Sequence, residues 1–327
     1  MRLVNHPVLC NYYLTYKCNA TCSFCDIWEK PSGYASLQSI KDNFKDLKEL
    51  GVKVIDFTGG EPLLHPDLVE ILKEAKAHKF ITTVTTNALL YPKKAKDIVG
   101  LIDMLHFSLD SSLAEQHNQM RGVPCFDYVI KSIKLALYLG EKPDILFTVF
   151  KGNFDQIKPV YEKVVLPNKL VMILNPAFEY NDLSVDNTLT NKQLKELSSW
   201  GKKKNIYLNE AFIELRKNGG NSIKKPVCKA ASSSVVISPD NKLVLPCYHL
   251  EKESIAINGK LKELYLSPLI EESIKMEGKW PECEGCTINC YMQPSFAVEF
   301  NKYWLKALPS ALKYNYYKGT WKQLFSI

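Results

Sequence analysis

The chain has 327 residues, 46% of them hydrophobic and 24% charged, a balance that excludes a disordered chain and allows a full-sized core. Its net charge of +7 is uneven: Lys302, Lys306, Lys313, Lys318 and Lys322 face only Glu299 between residues 293 and 327. No arginine-rich run or zinc-finger spacing accompanies that excess, so nucleic acid is not an expected partner. Nor is any apolar run long enough for a signal-peptide core or a membrane-spanning helix, and a cytoplasmic protein is expected.

From residue 8 to about 205, short β-branched runs alternate with helix-period segments, the pattern of repeated βα units around a parallel sheet. Strands are predicted near 8–15, 53–58, 80–86, 103–109, 144–150 and 169–175. Between them, Leu37, Ile40, Phe44, Leu47 and Leu50 follow helical spacing until Gly51 stops the run. A second helix is predicted to open at Pro66, and a third to run through Ile130, Ile133 and Leu137 to Gly140. Six such units close most of a barrel, and chemistry on such sheets gathers at the carboxyl ends of the strands. Near residue 222 the rhythm stops. A cysteine-bearing region follows, in which Pro239, Asp240 and Asn241 separate two apolar runs as a hairpin turn would.

Ten cysteines in a long chain without an export signal favour metal ligation over disulfides. Cys18, Cys22 and Cys25 form C-x3-C-x2-C directly after the first strand. A cuboidal cluster has four irons, so three thiolates leave one iron open to a further ligand, whereas a zinc site normally takes four ligands. After the second strand comes Thr58-Gly59-Gly60-Glu61-Pro62, where two glycines permit close backbone approach to a charged ligand.

Together these two motifs resemble the radical S-adenosylmethionine (SAM) superfamily, whose most specific marks are the three-cysteine loop and GGEP in this order. The resemblance implies a 4Fe-4S cluster on Cys18, Cys22 and Cys25 that binds and reductively cleaves SAM, with an electron donor such as flavodoxin or ferredoxin. It makes Phe24 a neighbour of the adenine and places the methionine amine on Gly59, Gly60, Glu61 and Pro62. Ser108 and Arg121 are implied partners of the ribose or carboxylate. Thr86-Asn87 and Asn153 are further, weaker matches.

Five later thiols, Cys228, Cys247, Cys283, Cys286 and Cys290, suffice for one fully ligated 4Fe-4S cluster and not for two. Their spacing resembles the twitch form of the SPASM extension, which implies an auxiliary cluster on Cys228, Cys247, Cys283 and Cys286, with Cys290 as an alternative ligand. A structural zinc site is the competing reading. Cys10 and Cys125 fit neither set and read as buried small hydrophobes.

The expected architecture is α/β: a partial (β/α)6 radical SAM barrel over residues 1–222, a twitch/SPASM-like domain over 223–292, and a basic aromatic helical tail over 293–327. The expected activity is hydrogen abstraction from a small molecule that is then oxidised or rearranged. A peptide-modifying maturase and a non-catalytic iron-sulfur carrier are the alternatives. Glu179, Tyr180 and Asp182 are candidate substrate contacts or a solvated loop. The tail, with Tyr303, Trp304, Tyr314, Tyr316 and Trp321 among its lysines, fits either packing on the barrel or weak contact with a membrane surface.

Overall fold

The computed structural model describes residues 1–178 and 189–320. Glu179, Tyr180, Asp182 and Trp321 lie outside them. The six expected strands are present as β1 (Leu9–Thr15), β2 (Val54–Gly59), β3 (Ile81–Thr86), β4 (Met104–Ser108), β5 (Asp144–Val149) and β6 (Val171–Pro176). A two-residue β7 (Ile206–Tyr207) follows, then β8 (Ser234–Ile237), β9 (Lys242–Leu245) and β10 (Glu253–Ala256). All ten join one sheet in the order β10-β9-β8-β1-β2-β3-β4-β5-β6-β7.

From β1 to β7 every pairing is parallel, as βα crossovers require. The predicted hairpin forms, but it does not stand apart from the barrel. Its first strand, β8, lies parallel to β1 with Asn11 beside Val236, so the cysteine-bearing region begins on the barrel's own sheet.

Helices α1 (Leu37–Glu49), α2 (Leu68–Ala77), α3 (Tyr91–Ile98), α4 (Ala114–Arg121) and α5 (Phe126–Tyr138) cover the outer face. The second begins two residues after Pro66, behind Asp67. Strand residues alternate between the two faces of the sheet. Cys10, Tyr12, Leu14, Ile55 and Phe57 therefore point outward into a core with Ile40, Phe44 and Leu47 of α1. Inward lie the polar residues Asn11, Tyr13, Asp56, Thr83, Thr85 and His106, which give the barrel interior a hydrogen-bonding lining; Thr85 and His106 meet at 3.2 Å.

The tail helix, Lys302–Lys318, packs against the barrel. Tyr314 donates to Asp144 at the start of β5 (2.6 Å), and Lys318 approaches the other oxygen of that carboxylate (3.1 Å). The Tyr314 ring lies 4.9 Å from Tyr207. A buried carboxylate satisfied in this way anchors the helix, so packing accounts for the described part of the tail. Among the described residues no helix is long and apolar enough to cross a membrane.

Candidate functional site

The three-cysteine loop leaves β1 and is braced from two sides by backbone. On one side, Gly60 N–H donates to Thr15 O (2.8 Å) and Glu61 N–H to Lys17 O (2.9 Å), stitching GGEP to the residues just before Cys18. The approach is so close that a Cβ on Gly59 would stand 2.0 Å from Thr15 O, and one on Gly60 2.1 Å from Lys17 O. The glycines are thus required by packing against the cluster loop itself. On the other side, Thr21 N–H and Ser23 N–H donate to the carbonyls of Arg121 and Met120 at the end of α4, both at 3.1 Å. Gly122, with φ of 68°, lets that helix end against Thr21.

Glu61 is buried, and its carboxylate is already engaged: Leu63 N–H and the Thr86 hydroxyl donate to one oxygen, and Asn87 N–H to the other. Its side chain latches GGEP to the end of β3, and the Gly60 and Glu61 N–H groups already donate to Thr15 and Lys17, so what this segment can still offer a ligand is backbone carbonyl oxygen. Pro62 begins a helical turn over residues 62–64. Asn87 also donates to Asn19 (2.8 Å) and directs the same amide toward Cys18 Sγ at 4.0 Å.

Ser108 is buried at the end of β4. Two residues on, Asp110 accepts from Arg121 Nε at 2.8 Å and from Thr148 N–H at 2.9 Å. Sequence reasoning assigned Arg121 to SAM and gave Asp110 no role. The structure commits the guanidinium to Asp110, aims its Nη1 toward Cys22 Sγ (3.9 Å), and sets it over the Phe24 ring at 5.1 Å. Burial disfavours the guanidinium charge, but Asp110 and Cys22 outweigh it and keep the group firmly protonated. Phe24 also meets Phe150 at 4.8 Å. Asn153 spends its amide on the carbonyls of Asp110 and Thr148 and so braces β4 against β5.

Cys18, Cys22 and Cys25 are all partly open to solvent. Burial pushes the Cys18 thiol up to about 12 and the Cys25 thiol up to about 11. Without a bound cation Cys18 and Cys25 are neutral thiols, and loading a cluster must displace their protons. Three converging cysteines with cationic and amide donors beside their sulfurs fit an iron-sulfur cluster.

The second set converges from distant segments. Cys228, Cys247, Cys283 and Cys286 line one small cavity of about 30 Å³, together with Pro246, Ile288, Tyr291 and Met292. Burial pushes Cys247 up to about 12 and Cys283 up to about 11. Among the described residues no three His, Cys, Asp or Glu side chains close around a single ion, while four thiols around a cavity suit a larger group. Asn221, which sequence reasoning missed, ties these loops together. Its Nδ2 donates to Gly278 O and Cys283 O, its Oδ1 accepts from Val227 N–H and Cys228 N–H, and its own N–H donates to Cys286 O. Only its place just before the cysteines marked it in the sequence.

Cys290 does not line this cavity. It sits on the helix Asn289–Val298, where neighbouring residues differ by roughly 100° in direction, so Tyr291 can face the cavity and Cys290 cannot. Cys10 and Cys125 are fully buried, the latter with its sulfur 3.4 Å from His117 Nε2.

A barrel of parallel strands with a three-thiol loop and a glycine turn at the carboxyl ends of β1 and β2 defines a class of SAM-dependent enzymes that work with an iron-sulfur cluster. Comparison with known proteins agrees. Residues 12–164 match the radical SAM superfamily. A probable GTP 3',8-cyclase of Sulfurisphaera tokodaii is 30% identical over 259 residues, covering 73% of this chain and 81% of that protein. The mycofactocin maturase MftC of Mycobacterium tuberculosis is 25% identical over 228 residues, covering 65% of this chain and 57% of that protein. Among solved structures, Streptococcus suis SuiB bound to S-adenosylmethionine superposes with a TM-score of 0.68 at 18% identity, over 86% of this chain and 71% of SuiB. The enzyme anSMEcpe with bound AdoMet superposes with a TM-score of 0.63 at 18% identity, over 95% of this chain and 93% of that one. The chain belongs to the radical SAM superfamily.

Proposed function

We propose that this enzyme binds SAM at a 4Fe-4S cluster held by Cys18, Cys22 and Cys25, and abstracts a hydrogen atom from a small molecule bound in the barrel. A second 4Fe-4S cluster on Cys228, Cys247, Cys283 and Cys286 is part of the same reading. The observation that carries it is the pairing of a three-thiol loop, which leaves one iron without a protein ligand, with a separate cavity of four thiols.

A 4Fe-4S cluster held by Cys18, Cys22 and Cys25 would leave one iron for SAM and supply the electron for its reductive cleavage, and one held by Cys228, Cys247, Cys283 and Cys286 would be able to accept an electron from the substrate radical. The chain's own residues bind and orient. Phe24, fixed by its contacts with Arg121 and Phe150, is the ring that neighbours the adenine. Gly59 and Gly60 present backbone carbonyl oxygens to the methionine end of SAM, and Ser108 lies at the strand end where a ribose or carboxylate would reach. Arg121 acts as a positioning residue and contributes positive potential beside Cys22.

In this reading residues 1–222 carry SAM and substrate, 223–292 the auxiliary cluster, and 293–327 are the basic aromatic tail, whose described part braces the barrel. A small-molecule substrate is supported by the likeness to a protein named for acting on GTP, which extends over most of that protein. Peptide modification is the second reading, supported by the likeness to MftC. The test is anaerobic reconstitution with SAM and a strong reductant. Release of 5'-deoxyadenosine is expected from the parent and not from Cys22→Ala, and faster release on adding GTP would favour the small-molecule reading. A folded Cys22→Ala protein that releases it at the parent rate would overturn the assignment.

A further inference from the structure

Two guanidiniums sit beside the thiol sites, and only one of them is neutralised. Arg121, beside Cys22, is paired with Asp110. Arg216, near the end of the helix Glu210–Lys217, is partly buried, and every acceptor it meets among the described residues is a neutral oxygen. Its Nη2 donates to Pro176 O (2.9 Å) and Ala177 O (3.1 Å) at the end of β6, and to Thr287 O at 3.4 Å. Nη1 and Nη2 each donate to Asn289 Oδ1 at 3.2 Å, and Nη1 also to Phe212 O at 3.3 Å. Asn289 donates in turn to Asn175 Oδ1 (2.6 Å) and Pro176 O (2.7 Å), so the acceptor that both nitrogens share is itself fixed.

The place so fixed is the edge of the second thiol site. Thr287 follows Cys286 in the chain, and the loop after Arg216 lies against the stretch between Cys283 and Cys286. A Cβ on Gly220 would stand 2.1 Å from Gly285 O, and Asn221 N–H donates to Cys286 O at 2.9 Å. The guanidinium therefore touches the residue after Cys286 on one side and the barrel's sixth strand on the other. Burial pulls it down to about 10, which leaves it protonated near neutrality, and the Cys286 charge works in the opposite direction. Lys252, a cation near Cys283, is exposed and paired with Glu282, so solvent and its partner screen it.

We propose that Arg216 is the fixed counter-charge of the cluster held by Cys228, Cys247, Cys283 and Cys286, and that it raises that cluster's reduction potential. A 4Fe-4S cluster on four thiolates is anionic and gains one further negative charge on reduction, so a cation held nearby favours the reduced form more than the oxidised. Backbone carbonyls hold the guanidinium in place without cancelling its charge, which is what such a role needs. Arg216 is a positioning residue here, acting on the cluster through its field. The proposal rests on the reading of the second thiol site given above.

The test separates the charge from the clamp: Arg216→Lys keeps the charge and loses the fork, and Arg216→Gln keeps a donor and loses the charge. The parent and both variants are reconstituted and titrated under electron paramagnetic resonance, the signal that SAM perturbs being that of the first cluster. At a fixed ambient potential Arg216→Gln should lower the reduced-to-oxidised ratio of the second cluster about tenfold, a negative shift of about 59 mV for a one-electron couple. The first cluster should not move, and Arg216→Lys should stay within about threefold of the parent ratio. Should Arg216→Gln shed the second cluster, about eight irons per chain in Arg216→Lys against about four in Arg216→Gln sustains the proposal. Equal potentials in the two variants, loss of the cluster from Arg216→Lys, or a shift shared equally by both clusters would overturn it. A parent that holds about four irons overturns the reading of the second site itself, and iron analysis shows this before any potential is measured.

Discussion

The two thiol sites of this protein are built in opposite ways. The first occupies one loop, residues 18–25, and is held by backbone bonds from residues 15–17 to GGEP and from residues 21–23 to the end of α4. The second gathers cysteines from position 228 to position 286 around one cavity, with Asn221 bonded to the backbone of three of the four, Cys228, Cys283 and Cys286. The first is a local motif that tertiary structure clamps; the second exists only after distant segments have met. A local site should survive damage elsewhere, and an assembled one should fail when its central tie is cut.

The largest effect expected is on the first site. Cys22→Ala should lower 5'-deoxyadenosine release at least a hundredfold, and iron should fall from about eight to about four per chain, the loss of one four-iron cluster. Iron analysis and chromatographic product assay decide this. The mirror variant, Cys283→Ala with Cys286→Ala, should lose the same amount of iron yet keep uncoupled SAM cleavage. Loss of both activities in a folded double variant would mean that the sites are not independent. Zinc in place of iron at the second site would remove the auxiliary cluster altogether.

Next in size is the tie itself. Asn221→Ala deletes four side-chain hydrogen bonds at a buried position and should destabilise the protein by about 3–4 kcal/mol. Its iron should fall selectively at the second site, with the SAM-binding cluster retained; uniform loss of iron would count against two separable constructions.

Asp110→Asn probes the clamp on the first site. It leaves Arg121 buried without its counter-charge, which costs about 3 kcal/mol, and it loosens the guanidinium that sits over Phe24. SAM affinity should weaken while the iron content stays near the parent value, as equilibrium binding of SAM to the reconstituted variant would show. The smallest effect is expected from Tyr314→Phe, far from both sites. Removing the hydrogen bond to Asp144 should lower stability by about 1 kcal/mol and leave iron and product release unchanged. A larger loss would make the tail part of the catalytic body.

Much of this architecture was legible in the sequence because it is written in short-range patterns. Six β-branched runs became β1 to β6, and the C-x3-C-x2-C and GGEP motifs fell at strand ends because βα units place their loops there. Cys10 and Cys125 read as core residues and are buried. Tertiary structure alone decided the rest. The packing of Gly59 and Gly60 on Thr15 and Lys17, the engagement of Glu61 with Thr86 and Asn87, and the capture of Arg121 by Asp110 are contacts between segments far apart in the chain, and no spacing rule encodes them. The same holds for β8 joining β1, and for the turn of helix that keeps Cys290 off the lining of the four-thiol cavity. Periodicity fixes which face of an element is apolar, but which polar groups meet depends on how the elements are set against one another, and that is a property of the packed molecule.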